Sequence, residues 1–93
     1  MGKIAERITA RLTEAFQPLH LEVHDDSDKH KGHSGAREGG ESHFSVRIVS
    51  EQFKGQSRVA RQRQVNAALR EELAGPVHAL SLQTLTPEEA ASQ

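Results

Sequence analysis

Between Asp25 and Glu41 the chain reads DDSDKHKGHSGAREGGE. This stretch has no apolar period and is crowded with Gly, Asp, Ser and Lys. No core can be built from it, so the fold must be made from the segments before and after. The stretch reads as a long exposed loop, and loops of that length within a compact domain are usually functional or disordered. On both sides of it the pattern has period two. Leu19, Leu21 and Val23 alternate with His20, Glu22 and His24, and Phe44, Val46 and Ile48 alternate with His43, Ser45 and Arg47. Such alternation marks a half-buried strand. Two strands joined through one loop are expected to pair antiparallel.

Elsewhere the period is helical. Ile4, Ile8, Leu12, Ala15 and Phe16, with Arg7, Arg11 and Glu14 between them, predict an amphipathic helix over about 2–16. Pro18 stops it, because proline cannot donate into a continuing helix. Glu51 to Gln56 reads as a turn containing Gly55, and Ser57 as an N-cap. Val65, Ala68, Leu69, Glu72 and Leu73 carry a long helix over about 58–73, closed by Gly75 and Pro76. Val77 to Leu85 reads as a third strand, with Val77, Ala79 and Ser81 on one face and His78, Leu80 and Leu82 on the other. Thr86-Pro87-Glu88-Glu89 supplies a cap, an N1 proline and a capping-box Glu, so a short helix closes the chain. The expected fold class is α/β (α+β), in the order α-β-β-α-β-(α). Its architecture is a three-stranded mixed sheet with helices on one face, in a single domain over 1–93 with a flexible tail at 90–93. If the second and third strands are parallel neighbours, the helical connection between them should be a right-handed crossover.

A chain of 93 residues buries only about 60% of the surface its unfolded form exposes and has little room for a deep catalytic cavity. It has no cysteine, which excludes both a disulfide framework and a thiolate ligand of its own. A formal net charge of −1 argues against nucleic-acid binding by bulk electrostatics. No apolar run approaches the roughly 20 residues of a membrane helix. The N-terminus lacks the apolar core and small-residue cleavage site of a secretory signal. A cytoplasmic protein is the expectation. No serine stands in a nucleophile-elbow context, Glu71 and Glu72 point to different faces of their helix, and Gly39-Gly40 is too isolated for a phosphate loop. An enzyme is not expected.

The unusual feature is six histidines, four of them between His24 and His43. Neutral imidazole is a good ligand for zinc, copper, nickel and iron. His78 follows a Gly-Pro turn at the start of the third strand. It reads either as a ligand at an open sheet edge or, by its parity with Leu80 and Leu82, as a core histidine. His30 and His33 form HKGH, a spacing that can bring two imidazoles to one metal. They read equally as part of a solvated loop, since a closed site needs further ligands. Asp25, Asp26 and Asp28 do not match a calcium loop. His24 and His43 share the open face and could meet if the hairpin register aligned them. Otherwise they are surface histidines. Arg58, Arg61 and Arg63, with Lys54, form a basic stretch at the start of the long helix. It is suited either to an acidic partner or phosphate, or to simple solvation. No GxxG clamp lies between two helices.

Several strings taken together resemble the BolA family. They are Leu21-Glu22-Val23, Asp26-Ser27, a His-bearing loop, Glu41-Ser42-His43-Phe44, Val49-Ser50 with Phe53 and Gly55, Arg61-Gln62-Arg63, Glu71-Glu72-Leu73, and Pro76-Val77-His78-Ala79-Leu80-Ser81-Leu82. They cover about residues 4–89 in family order. The resemblance implies an α/β fold similar to a type II KH domain. It also implies a partner, a monothiol glutaredoxin with a CGFS-type active site, joined around a bridging [2Fe–2S] cluster. Glutaredoxin and glutathione then supply thiolates and the BolA-like chain supplies imidazoles. The C-terminal family ligand corresponds to His78. The second ligand lies in the loop between the first two strands and must here be histidine. His30 matches by its distance from Asp26-Ser27, with His33 as competitor. Family members have also been cast as DNA-binding transcription regulators, a role that would fall here to the Arg58–Arg63 helix.

Overall fold

A computed structural model describes residues 2–26 and 43–92. Helix α1 spans Lys3–Phe16 and buries Ala5, Ile8, Leu12 and Phe16, the stripe that a 3.6-residue period brings to one side. It ends at Gln17, which takes a left-handed conformation with φ 46° and donates its N–H to the Thr13 carbonyl; Pro18 then prevents continuation. Strand β1 is His20–Asp25 and strand β2 is His43–Val49. They pair antiparallel, with Leu21 opposite Ile48 and Val23 opposite Val46. Of the three aspartates that open the polar stretch, Asp25 belongs to β1, and Asp26 accepts a hydrogen bond from the Ser45 hydroxyl. A short 3₁₀ turn, Glu51–Phe53, follows β2. Ser50 is buried there. It caps this turn through the Gln52 N–H and donates to the Phe16 carbonyl at 2.8 Å, tying the turn to the end of α1.

Ser57 caps the next helix by accepting the Ala60 N–H. The expected helix over 58–73 is divided. Helix α2 is Arg58–Ala68 and helix α3 is Arg70–Ala74, separated at Leu69, where φ is −104° and ψ is 17°. Neither Gly nor Pro marks the break. Its reason is tertiary: Leu69 is buried in the core while Glu72, three residues on, is held from α1 by Arg7 at 2.7 Å and Arg11 at 2.8 Å. Gly75 closes α3, though not in a left-handed conformation. The third strand, β3, is Ala79–Leu85 and starts two residues later than its alternation suggested. Val77 is buried, but it belongs to the connection, with its N–H donated to the Glu72 carbonyl at 2.9 Å.

The strand order is β1-β2-β3, with β3 parallel to β2. Phe44, Val46 and Ile48 stand beside Leu80, Leu82 and Thr84 on the core face. The helices cover that face, α1 against β1 and α2 against β3. Phe16 and Phe53 meet at 5.2 Å between ring centroids, tilted by 45°. Helix α4, Pro87–Ala91, begins with the expected capping box of Thr86 and Glu89.

Arg61 does not face a partner. It is 5% exposed, and its guanidinium lies over the Phe53 ring. It donates to the carbonyls of Gln56 (3.0 Å) and Thr84 (3.1 Å) and forks onto the Glu89 carboxylate at 2.6 and 3.3 Å. This one side chain joins α2, β3 and α4. Such bidentate pairs are among the stronger polar contacts.

Arg61, with help from the Thr86 backbone N–H, holds the Glu89 carboxyl down from 4.5 to about 2. The folded value lies below the unfolded one. Its stabilisation is therefore complete above the ordinary glutamate range and is lost as pH falls from about 4.5 to about 2. Urea unfolding followed across that window should show stability falling with pH, and Glu89→Gln should flatten the slope. Arg61→Met should lower stability by about 2 kcal/mol at neutral pH, since it leaves the buried Thr84 carbonyl without its donor, while the Glu89 carboxylate, 39% exposed, is partly screened by water. A loss under about 1 kcal/mol would mean that the latch is not structural.

Candidate functional site

Because β2 and β3 are parallel and β1 is antiparallel to both, the end of β1 and the starts of β2 and β3 share one end of the sheet. Asp25 stands opposite Phe44, and His43 stands opposite Ala79. His78 immediately precedes Ala79. The polar stretch leaves at Asp26 and returns at His43, so both of its attachment points lie at the sheet end that carries His78. His30 and His33 lie outside the described residues.

His78 is exposed. The core-histidine reading fails because parity with Leu80 and Leu82 holds only within the strand, and His78 precedes it. Its neighbours on the chain explain how an exposed residue is held in place. Val77 is 3% exposed and is anchored through the Glu72 carbonyl. Glu72 is in turn fully buried between Arg7 and Arg11. Burial pushes the Glu72 carboxyl up, but the Arg11 hydrogen bond and the two guanidinium charges outweigh it and leave it below the usual range. Glu71 faces outward and meets Arg11 at 3.2 Å. The differing faces of the two glutamates were evident from spacing. The clamp on Glu72 was not, because its partners lie some sixty positions earlier, where they read as ordinary polar positions of an amphipathic helix.

His24 and His43 do not oppose each other, since the register sets His24 against Ser45. His24 Nε2 instead lies 3.2 Å from Glu22, and His20 Nε2 lies 2.6 Å from the other oxygen of the same carboxylate. These two contacts, His20's first, hold Glu22 below the ordinary carboxylate range. Glu22, His24, Ser45, Arg47, Ser81 and Gln83 line a shallow trough of about 320 Å³ on the face away from the helices. Arg58 and Arg63 remain exposed on α2, whereas Arg61 is withdrawn into the latch. Lys54 reaches Glu88 at 3.2 Å.

Among the described residues, no three His, Asp or Glu side chains gather as a metal-binding set, and the chain has no thiol. The donor in view is an exposed imidazole on anchored backbone, at the end of the sheet where a second His-bearing segment is attached. That is a partial ligand set, which fits a metal group whose remaining donors come from another molecule and does not fit a closed site. Among the described residues no helix is long and apolar enough to cross a membrane.

The profile of the family described as BolA-like protein matches residues 12–89. A Sinorhizobium protein encoded in the cobS 5′ region is 47% identical over 87 residues, covering 92% of this chain and 94% of its own length. BolA-like protein 1 of Bos taurus is 44% identical over 87 residues, covering 94% of this chain but only 62% of its own. The DNA-binding transcriptional regulator BolA of Escherichia coli is 45% identical over 86 residues, covering 92% of this chain and 77% of its own. Among solved structures, BolA1 of Arabidopsis thaliana superposes with a TM-score of 0.85 at 41% identity, covering 96% of this chain and 97% of its own. The BolA domain of SufE1 from the same plant gives 0.84 at 42%, covering 96% and 98%. With a profile spanning most of its length and the same order of strands and helices, the chain belongs to the BolA family.

Proposed function

We propose that this chain is an adaptor that docks a monothiol, CGFS-type glutaredoxin and shares with it and glutathione a bridging [2Fe–2S] cluster, in iron–sulfur trafficking or iron-dependent regulation. BolA-family proteins are non-catalytic adaptors. The observation that carries the finer reading is the exposure of His78 at the sheet end where the His30 and His33 segment is attached. His78 would be one ligand and His30 or His33 the other. Without cysteine, the chain has only nitrogen to offer iron, and two imidazoles are too few to hold a cluster alone. The thiolates must come from the partner. A cluster ligated partly by imidazole carries electrons at a higher potential than one held by thiolates alone. Imidazole ligates only in its neutral form, so acid should loosen the complex. The anchored backbone before His78 fixes that donor in advance, which lowers the ordering cost of closing the site.

The test is reconstitution. The chain, a monothiol glutaredoxin, glutathione, iron and sulfide are mixed, and visible absorption and circular dichroism are recorded. The mixed complex should give a spectrum distinct from that of glutaredoxin alone. His78→Ala should abolish the difference, and so should one of His30→Ala and His33→Ala. An unchanged spectrum with His78→Ala would remove the ligand assignment.

A second reading, DNA binding, is favoured by the name of the Escherichia coli relative. It would rest on Arg58 and Arg63, since Arg61 is engaged with Glu89. Reversing both charges should then abolish a salt-sensitive gel shift with duplex DNA. No shift at low salt would end this reading.

A further inference from the structure

β1 is an edge strand. β2 pairs with one side of it, and among the described residues no strand pairs with the other. Natural edges are usually blunted by lysine, proline within the strand, or a bulge. β1, with the sequence HLEVHD, contains no Lys, Arg or Pro. Leu19, just before it, exposes 66% of its surface and continues the apolar row of Leu21 and Val23. The Leu19 N–H is donated inward to the Val49 carbonyl at 2.8 Å. Val49 turns its carbonyl to β1 and pairs with His20, while Ser50 gives its N–H to the Leu85 carbonyl of β3. The N–H and C=O of His20, Glu22 and His24 therefore face β2, and those of Leu21 and Val23 face the free side.

An antiparallel self-pairing that keeps each face with itself has few registers. Centred on Glu22, it sets two carboxylates against each other. Centred on Val23, it sets Leu21 against Asp25. Centred on Leu21, Leu21 meets its own copy and Leu19 meets Val23 on the helix-covered face, while His20 meets Glu22 on the open face. In that register alone every apolar side chain in the core of the pairing opposes another and each carboxylate opposes an imidazole.

We propose that β1 pairs antiparallel with β1 of a second copy of this chain, about a two-fold axis through Leu21, joining the two three-stranded sheets into one. The outward N–H and C=O of Leu21 exchange hydrogen bonds with those of Leu21 in the second copy, and His20 and Glu22 stand opposite each other as a non-hydrogen-bonded pair. The ladder ends at Leu19, whose N–H is already given to Val49. Antiparallel pairing sends the two sheet ends that carry His78 to opposite extremes, so both stay open. The contact is smaller than a standard interface, and the dimer is correspondingly weak.

Sedimentation velocity of the full chain up to millimolar concentration should show a monomer–dimer equilibrium. Amide exchange at Leu21 should slow as concentration rises, and that at His20, Glu22 and His24, already paired with β2, should not. His20→Glu sets carboxylate against carboxylate twice by symmetry and should weaken the dimer about tenfold. The exchanged pair His20→Glu with Glu22→His should restore it. Leu19→Lys should abolish it. Both single substitutions fall on exposed side chains, and circular dichroism checks that the monomers fold. A chain that stays monomeric throughout, a dimer indifferent to His20→Glu and Leu19→Lys, or an exchanged pair that restores nothing would each overturn the proposal.

Discussion

Since β3 runs parallel to β2, the chain between them has to travel back along the sheet before it can pair again, and it does so as α2 and α3 on the face where α1 also lies. That single pairing fixes most of the architecture. It leaves one face of the sheet for the core and the other open. It also brings the starts of β2 and β3 to the end where β1 stops, so that His43, His78 and Asp26 become neighbours in the fold though they are distant in the chain. A hairpin of two strands would have brought together only the two ends of the polar stretch. The parallel third strand adds the histidine.

A domain of this size without disulfides or aromatic bulk has little apolar surface to spare. It compensates by joining its elements with buried polar groups. Arg61 ties α2 to β3 and α4, Glu72 ties α3 to α1, and Ser50 ties the end of β2 to the end of α1. Each lies where an element ends or a helix is interrupted, and there backbone groups need partners that the regular ladders cannot supply. The pattern divides labour. Apolar periodicity decides which face is buried, and a few charged groups decide how the pieces meet.

This division also sets how much was legible in the sequence. The strands around residues 20–25 and 43–49, the helix stop at Pro18, the Ser57 cap and the Thr86–Glu89 box all come from local spacing, and all are observed. The break at Leu69, the clamp on Glu72 and the burial of Arg61 depend on residues far away in the chain, so no local pattern announces them. Arg61 is the instructive case. With Arg58 and Arg63 it looks like part of a basic face, yet its helix turns it inward toward Glu89 while its neighbours stay outside. Parity also misled at His78: it places Val77 with Ala79 and Ser81 on the open face and His78 with Leu80 and Leu82, but both residues precede β3, and the connection from α3 buries Val77 and exposes His78.

The separation of His78 from Val77 matters for how such a site can work. In the proposed site, anchoring and chemistry would fall on adjacent residues: the buried Val77 side chain holds the backbone, and the exposed His78 would meet the metal group. A histidine buried enough to be rigid by itself would have had to be dug out to bind anything, and a histidine on an untethered loop would have had to be ordered at each encounter. Placing the donor one residue beyond a core anchor avoids both penalties. The same arrangement means that the imidazole can be exchanged with little change to the core, whereas a change at Val77 or Glu72 would disturb the fold and the site together.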